Sequence, residues 1–161
     1  AERFPVLKHG LAIAAFAVAA ASLPAALDAA AASPKAIAVA VTVSFLFFLQ
    51  LRIADEHKDF EADRRFRPER PVPRGLVRLR ELRWVAFAAA IAQAALAAAL
   101  DPALLAQLAL VWGWMALMTL EFFAPAALKA RPVLYMASHL AIMPLIAFFC
   151  IACGANGTGK W

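Results

Sequence analysis

Residues 35–52 read KAIAVAVTVSFLFFLQLR. No charged side chain occurs between Lys35 and Arg52, and most of the residues between them are aliphatic or aromatic. A helix needs about 20 mainly apolar residues to cross the hydrocarbon core of a bilayer. We therefore predict that this segment is a membrane-spanning helix with a cation at each end.

The composition of the whole chain agrees with a membrane location. Of its 161 residues, 65% are hydrophobic and 17% are charged, and the mean hydropathy is +0.74. Ordinary soluble domains are about 45–50% apolar and about 25% charged. The composition therefore excludes a water-soluble monomer, a disordered chain and a disulfide-rich secreted module.

Four further apolar segments have lengths suited to crossing the membrane. They are residues 9–27, 83–100, 103–123 and 133–153. A polar stretch at 52–83 separates the second span from the third, and the other connections are short. We predict an all-α, polytopic membrane protein, in which residues 1–161 form a single membrane domain with about five transmembrane helices and one long loop.

The distribution of basic residues predicts the orientation of these spans. Five crossings place the N-terminus, the long loop and the connection at 124–132 on one side of the membrane. Fourteen of the 16 Lys and Arg residues lie on that side, and only Lys35 and Lys160 lie on the other. Because loops rich in Lys and Arg stay on the cytoplasmic side, we predict a cytoplasmic long loop and a location in a bacterial inner membrane.

The excess of basic charge also bears on the partners of the chain. A net charge of +5 on a soluble protein would suggest nucleic acid as a ligand. Here most of the basic residues lie in one loop beside the hydrophobic spans. We therefore predict that membrane lipid, and no nucleic acid, is the partner of these cations.

A row of acidic residues follows the second span. Asp55, Asp59 and Asp63 are four residues apart, so a helix that continues past the span would carry them on one face. Like charges at this spacing repel one another, and either neighbouring Arg and Lys side chains or a bound divalent cation would offset the repulsion. Oxygen ligands with no cysteine and a single histidine favour Mg²⁺ or Mn²⁺ over Zn²⁺.

Basic residues flank this acidic row. Mg²⁺ typically takes one or two carboxylates and completes its shell with water and phosphate oxygens, so the row is suited to holding a diphosphate through bridging metal ions. The candidate cations beside that diphosphate are Arg52, Lys58, Arg70 and Arg74. The alternative is a solvated, salt-bridged loop that anchors to anionic lipid headgroups.

The acidic row and the turn after it resemble the first aspartate-rich motif of the UbiA-type intramembrane prenyltransferases. That family carries a helix-end DxxxD-type cluster after its second span, followed by an Arg-Pro-Leu-Pro-Ser-Gly-like turn, and here residues 70–75 read RPVPRG. The resemblance covers about 25 residues. It implies that Asp55, Asp59 and Asp63 are catalytic residues that bind Mg²⁺ and the diphosphate of an isoprenoid donor, with Arg70 beside them.

A later segment supplies further candidate substrate-binding residues on the same side of the membrane. Residues 121–132 contain one carboxylate, Glu121, and two cations, Lys129 and Arg131. The alternative for this segment is an interfacial turn whose Lys and Arg side chains extend toward the headgroups.

Two functions remain open from the sequence. The first is a prenyltransferase that transfers an isoprenoid group from its diphosphate to an acceptor. The family uses a second aspartate-rich motif, and residues 1–161 contain no second DxxxD pattern. The second is therefore a non-catalytic membrane subunit derived from that family. In either case, a homo-oligomer or a larger membrane complex is expected.

Overall fold

The computed structural model describes residues 6–28 and 31–156, and within these ranges the chain is helical and contains no β-strand. A single 3-10 turn, Glu121–Phe123, separates the fifth helix from the sixth. The helices are α1 (Val6–Leu27), α2 (Pro34–Lys58), α3 (Phe60–Phe66), α4 (Leu79–Leu100), α5 (Leu104–Thr119), α6 (Pro125–Lys129), α7 (Pro132–Leu140) and α8 (Ile142–Asn156).

Four helical segments are long and apolar enough to cross a membrane. They are His9–Leu27, Pro34–Lys58, Leu79–Leu100 and Pro132–Asn156. The chain is therefore an integral membrane protein, as its composition predicts. The fourth predicted span, 103–123, corresponds to the shorter α5, whose 16 residues extend about 24 Å, whereas the hydrocarbon core is about 30 Å thick.

The last predicted span, 133–153, consists of two helices in succession. α7 ends at Leu140 and α8 begins at Ile142. Pro144 has no N–H group and cannot donate to the carbonyl oxygen of Leu140, so the hydrogen-bond ladder is interrupted at this point. In the first turn of α8 a proline is tolerated, because an N–H group there has no partner within the helix.

Much of the polar stretch at 52–83, which the sequence predicts to be a long loop, is helical. α2 continues to Lys58, α3 follows, and α4 begins at Leu79, which leaves residues 67–78 as the irregular connection. Gly75 lies in this connection with φ of +75°, a backbone conformation that glycine adopts without strain. The N–H group of Leu76 donates to the carbonyl oxygen of Pro71 at 3.0 Å and closes the turn.

The core of the bundle forms where α8 packs against α1, α2 and α5, while α4 packs against the other side of α2. The rings of Phe47 and Phe149 meet edge to face at its centre, with centroids 6.2 Å apart. Alanines dominate the contact between α1 and its neighbours, and small side chains let helix backbones approach closely within a membrane. The fully buried residues of this core include Ala17, Ala21, Ala40, Val43, Leu104, Leu108, Ile146, Cys150 and Cys153.

One buried polar side chain connects three of the helices. Gln93 on α4 is fully buried, and its Nε2 donates to the carbonyl oxygen of Val43 on α2 at 3.2 Å. Its Oε1 accepts a hydrogen bond from Nε1 of Trp112 on α5 at 3.0 Å. Both ends of the amide are satisfied, so the bundle holds a polar group at low cost where water is absent.

The contact between α1 and α8 predicts a steep cost for enlarging Gly154. A Cβ atom built at this position would lie 1.9 Å from the carbonyl oxygen of Ala21, which is backbone and cannot rotate away. We expect Gly154→Ala to lower the free energy of unfolding by about 2 kcal/mol or more, because the helices must separate to admit the methyl group. Unfolding in mixed detergent–SDS micelles measures this loss.

Gly113→Ala is the matched control. This glycine also lies within a helix, but an added Cβ atom there would meet no heavy atom within 4 Å. We expect a neutral or slightly stabilising effect, within about 0.5 kcal/mol of wild type, since alanine favours the helix. Equal losses in the two variants would contradict the close packing of α1 on α8.

Candidate functional site

The C-terminal end of α2 borders a cavity of about 250 Å³. Carboxylate and ammonium groups of α2 face apolar side chains of α5 and two ring-bearing side chains of α7 across it. The lining residues are Leu51, Ala54, Asp55, Lys58, Asp59, Met115, Met118, Thr119, Tyr135 and His139. The cavity is therefore lined by two carboxylates and an ammonium group from α2 and by two methionines from α5.

A second cavity, of about 440 Å³, adjoins the first and shares Lys58, Asp59 and Tyr135 with it. Its remaining lining residues are Glu121 and Pro132. We refer to the two cavities together as the α2-end site. The site lies where the end of α2, the turn after α5 and the start of α7 come together.

Lys58 is the central cation of the α2-end site. Its Nζ lies 2.8 Å from Oε1 of Glu121 and donates to the hydroxyl oxygen of Tyr135, also at 2.8 Å. The same ammonium group lies 5.1 Å from the centroid of the Tyr135 ring. Lys58 therefore links three elements that are far apart in sequence.

Glu121 reaches Lys58 through an unusual backbone conformation. Glu121, Phe122 and Phe123 have φ angles of 47°, 53° and 57°, in the left-handed region that L-residues avoid at about 1–2 kcal/mol each. The ring of Phe122 packs edge to face on Trp114, with centroids 5.3 Å apart, and the carboxylate of Glu121 is buried against Lys58. These two contacts offset the strain of the turn.

The backbone joins the three aspartates of the acidic row as predicted. The N–H of Asp59 donates to the carbonyl oxygen of Asp55, and the N–H of Asp63 donates to that of Asp59, each at 2.8 Å. The chain nevertheless bends at Asp59, between α2 and α3. Asp55 and Asp59 line the α2-end site, whereas Asp63 lines neither of its cavities.

Asp63 is buried and forms an ion pair with Arg70 of the Pro-rich turn. This contact fastens the connection at 67–78 back onto α3. At the other end of the row, Arg52 forms an ion pair with Glu56 and lies 3.8 Å from a carboxylate oxygen of Asp55. An arginine therefore lies beside each end of the acidic row.

The other predicted site residues lie in different places. Glu121 belongs to the α2-end site, as described above. Arg74 and Arg131 are exposed and line neither of its two cavities. Within residues 6–28 and 31–156, Asp59 is the aspartate of the row with no ion pair, and it lines both cavities.

The donor set at the α2-end site fits a magnesium ion that also binds a phosphate. Asp55 and Asp59 lie one helical turn apart and border the same cavity, and Mg²⁺ typically takes one or two protein carboxylates besides water and phosphate oxygens. In the described part of the chain, no group of three His, Cys, Asp or Glu side chains forms a metal cage. These residues suit a shared protein–substrate shell better than an all-protein one.

Two residues of this site were not among the predicted site residues. The sequence gives no indication of a role for Tyr135 beyond its position near the membrane interface. In the structure its hydroxyl oxygen accepts a hydrogen bond from Nζ of Lys58. His139, one turn later on α7, stacks on the Tyr135 ring at 4.1 Å, and its Nδ1 lies 2.9 Å from the Tyr135 carbonyl oxygen. Two ring-bearing polar residues four apart on an apolar helix are the signal that could have indicated them.

Comparison of the chain with protein-family models, with curated proteins and with solved structures found no match in any of the three.

The contacts of Lys58 predict that its removal destabilises this end of the bundle. We expect Lys58→Met, which keeps the apolar stem, to lower the free energy of unfolding by about 2 kcal/mol, because it removes two hydrogen bonds that involve a charged group. Denaturation in SDS-containing micelles measures the change. Arg74→Met is the control, since Arg74 is exposed and we expect a change within about 0.5 kcal/mol. A Lys58 variant as stable as the control would contradict the linking role.

Proposed function

We propose that this chain is a UbiA-like prenyltransferase that binds an isoprenoid diphosphate together with Mg²⁺ at the α2-end site. The observation that carries the proposal is that Asp55, Asp59 and Lys58 line one cavity together with Met115 and Met118. Carboxylates and an ammonium group suit a metal-bound diphosphate, and the methionine side chains suit an isoprenoid chain. The resemblance of residues 55–75 to the family's first motif supports the same function.

The residues present account for the binding and orientation of such a donor. Asp55 and Asp59 would hold the metal, and Lys58 would donate to diphosphate oxygens from its place between Glu121 and Tyr135. When bound, Mg²⁺ supplies positive charge for the departing diphosphate. The apolar wall would exclude water while the prenyl C–O bond breaks and its electron pair leaves with the diphosphate. The acceptor would bond to the prenyl carbon and lose a proton to the released diphosphate.

Asp63 and Arg70 have a positioning role in this proposal. Their ion pair fixes the Pro-rich turn against α3 and does not contact the cavity. The same observation favours the alternative function, a non-catalytic subunit of a membrane complex, because a locked Asp63 withdraws one of the three family carboxylates from the metal. Prenyl transfer from a bound donor separates the two functions, because a non-catalytic subunit transfers nothing.

We further propose that the chain crosses a bacterial inner membrane five times, with residues 59–78 in the cytoplasm. Contacts at both ends of the bundle support this topology. Lys58 brings the end of α2 beside the turn after α5 and the start of α7, and at the opposite end Nζ of Lys35 donates to the carbonyl oxygen of Ala99 at 3.0 Å. In this topology α5 is a crossing that the turn Glu121–Phe123 extends.

The proposed function predicts that Asp59→Asn weakens Mg²⁺-dependent donor binding. We expect farnesyl diphosphate, used as the probe, to bind the purified wild-type chain with Mg²⁺, and the variant to bind at least tenfold more weakly, about 1.4 kcal/mol, because one metal ligand loses its charge. Isothermal titration in detergent, with and without Mg²⁺, measures the affinities.

Asp101→Asn is the matched control for this experiment. Asp101 directly follows the C-terminal end of α4, and its side-chain oxygen accepts a hydrogen bond from the N–H group of Ala103. The side-chain oxygen of an asparagine can accept the same hydrogen bond. We expect binding equal to wild type. If wild type does not bind the probe, or if the two variants bind alike, the acidic row is not a diphosphate site. Binding without prenyl transfer to any hydroxylated aromatic acceptor would favour the non-catalytic alternative.

The topology predicts opposite labelling of two engineered cysteines. Glu69→Cys lies in the exposed turn at 67–78, and Pro102→Cys lies in the exposed connection between α4 and α5. In intact cells, we expect a membrane-impermeant maleimide to label Cys at position 102 and to leave position 69 unlabelled until the membrane is permeabilised. The native Cys150 and Cys153 are buried and give little background. Labelling of both sites from one side would contradict the five-crossing arrangement.

A further inference from the structure

The start of α4 carries a surface that the proposed prenyl-transfer site does not use. Arg80, Arg83, Trp84 and Phe87 line an open cavity of about 560 Å³. Their spacing places them on one face of the helix, since residues three, four and seven apart are neighbours along it. This face, which we call the α4 face, includes none of the residues of the α2-end site.

The charge of the α4 face is uncompensated. Within residues 6–28 and 31–156, neither Arg80 nor Arg83 forms an ion pair or a side-chain hydrogen bond. By contrast, Arg52 and Arg70 each meet a carboxylate. Two guanidinium groups side by side repel one another, so an anion from outside the chain would stabilise them. Guanidinium groups match the geometry of phosphate oxygens in particular, because they can donate two parallel hydrogen bonds.

The apolar part of the α4 face argues for an amphiphile. Trp84 is 65% exposed and Phe87 is 59% exposed, and the exposed stripe continues one turn further to Ile91 at 57%. α4 is a candidate membrane span that begins at Leu79, so its arginines lie at the headgroup level. Phe87 and Ile91 lie about 6 and 12 Å further along the axis from Arg83, at the depth of acyl chains.

We propose that the α4 face is a binding site for an anionic phospholipid. The lipid phosphate accepts hydrogen bonds from Arg80 and Arg83, the ring of Trp84 lies beside the glycerol region, and one acyl chain packs along Phe87 and Ile91. Charge complementarity selects an anionic headgroup over a zwitterionic one. The exposed aromatic side chains select a lipid over a free phosphate ion, which would leave them without a partner.

Native mass spectrometry of the full chain in detergent tests the proposal, with dioleoyl phosphatidylglycerol and dioleoyl phosphatidylcholine as probes. We expect the dissociation constant of the first bound lipid to be roughly tenfold or more lower for phosphatidylglycerol than for phosphatidylcholine. The double variant Arg80→Gln/Arg83→Gln removes this preference, whereas Arg80→Lys/Arg83→Lys retains most of it. Trp84→Ala/Phe87→Ala weakens the binding of both lipids.

Arg64→Gln/Arg65→Gln is the matched control, because these two arginines are exposed on α3 and lie outside the cavity. We expect it to change the affinity for phosphatidylglycerol by less than about twofold. Equal losses in the two glutamine variants would show that overall charge attracts the lipid, and the proposal would be wrong. Displacement of the lipid by an equal concentration of inorganic phosphate would identify a soluble-anion site instead.

A third outcome would assign the α4 face to protein. If the chain shows no preference for phosphatidylglycerol, and Trp84→Ala/Phe87→Ala lowers its dimer fraction in lipid nanodiscs, the face is an interface between copies of the chain. A bilayer readout separates this from the proposal. The emission of Trp84 is the difference in fluorescence between wild type and Trp84→Phe. We expect phosphatidylglycerol with brominated acyl chains to quench this emission more strongly than brominated phosphatidylcholine does.

Discussion

The ammonium group of Lys58 holds together the end of the bundle on which the candidate site depends. It joins the last turn of α2 to Glu121 after α5 and to Tyr135 on α7, with both contacts at 2.8 Å. A charge at the edge of a membrane is stable only when it is paired or reaches the headgroups, so this contact selects one arrangement of the three elements. It also brings a carboxylate into a turn whose backbone is left-handed over three residues.

Much of the fold follows from hydropathy alone. The segments at 9–27, 35–52 and 83–100 correspond to α1, α2 and α4, because an apolar run of this length in a chain with so little charge must satisfy its backbone as a helix. What hydropathy misses is local. α5 ends at Thr119 and not at residue 123, because contacts of Glu121 with Lys58 and of Phe122 with Trp114 hold the following residues in a turn. No sequence pattern predicts these contacts. The break before α8, by contrast, could have been predicted from Pro144.

The candidate site was predictable in part. Spacing alone identifies Asp55 and Asp59, because they belong to one helix and lie one turn apart. The same argument extends to Asp63 only if the helix stays straight. The chain bends at Asp59, and Asp63 is turned toward Arg70. Contacts between distant segments decide the remaining members of the site, Glu121 and Tyr135. A single sequence contains no signal for such pairings, which arise from how the helices pack.

In the proposed function, Asp55 and Asp59 hold a metal ion that also binds the diphosphate of a lipid substrate. Electron spin echo spectroscopy of the purified chain, with Mn²⁺ in place of Mg²⁺ and with farnesyl diphosphate, detects such a metal ion. We expect phosphorus hyperfine coupling at a protein-bound Mn²⁺, which Asp59→Asn eliminates and Asp101→Asn retains. A Mn²⁺ spectrum that is the same with and without the protein would show that Asp55 and Asp59 do not bind the metal.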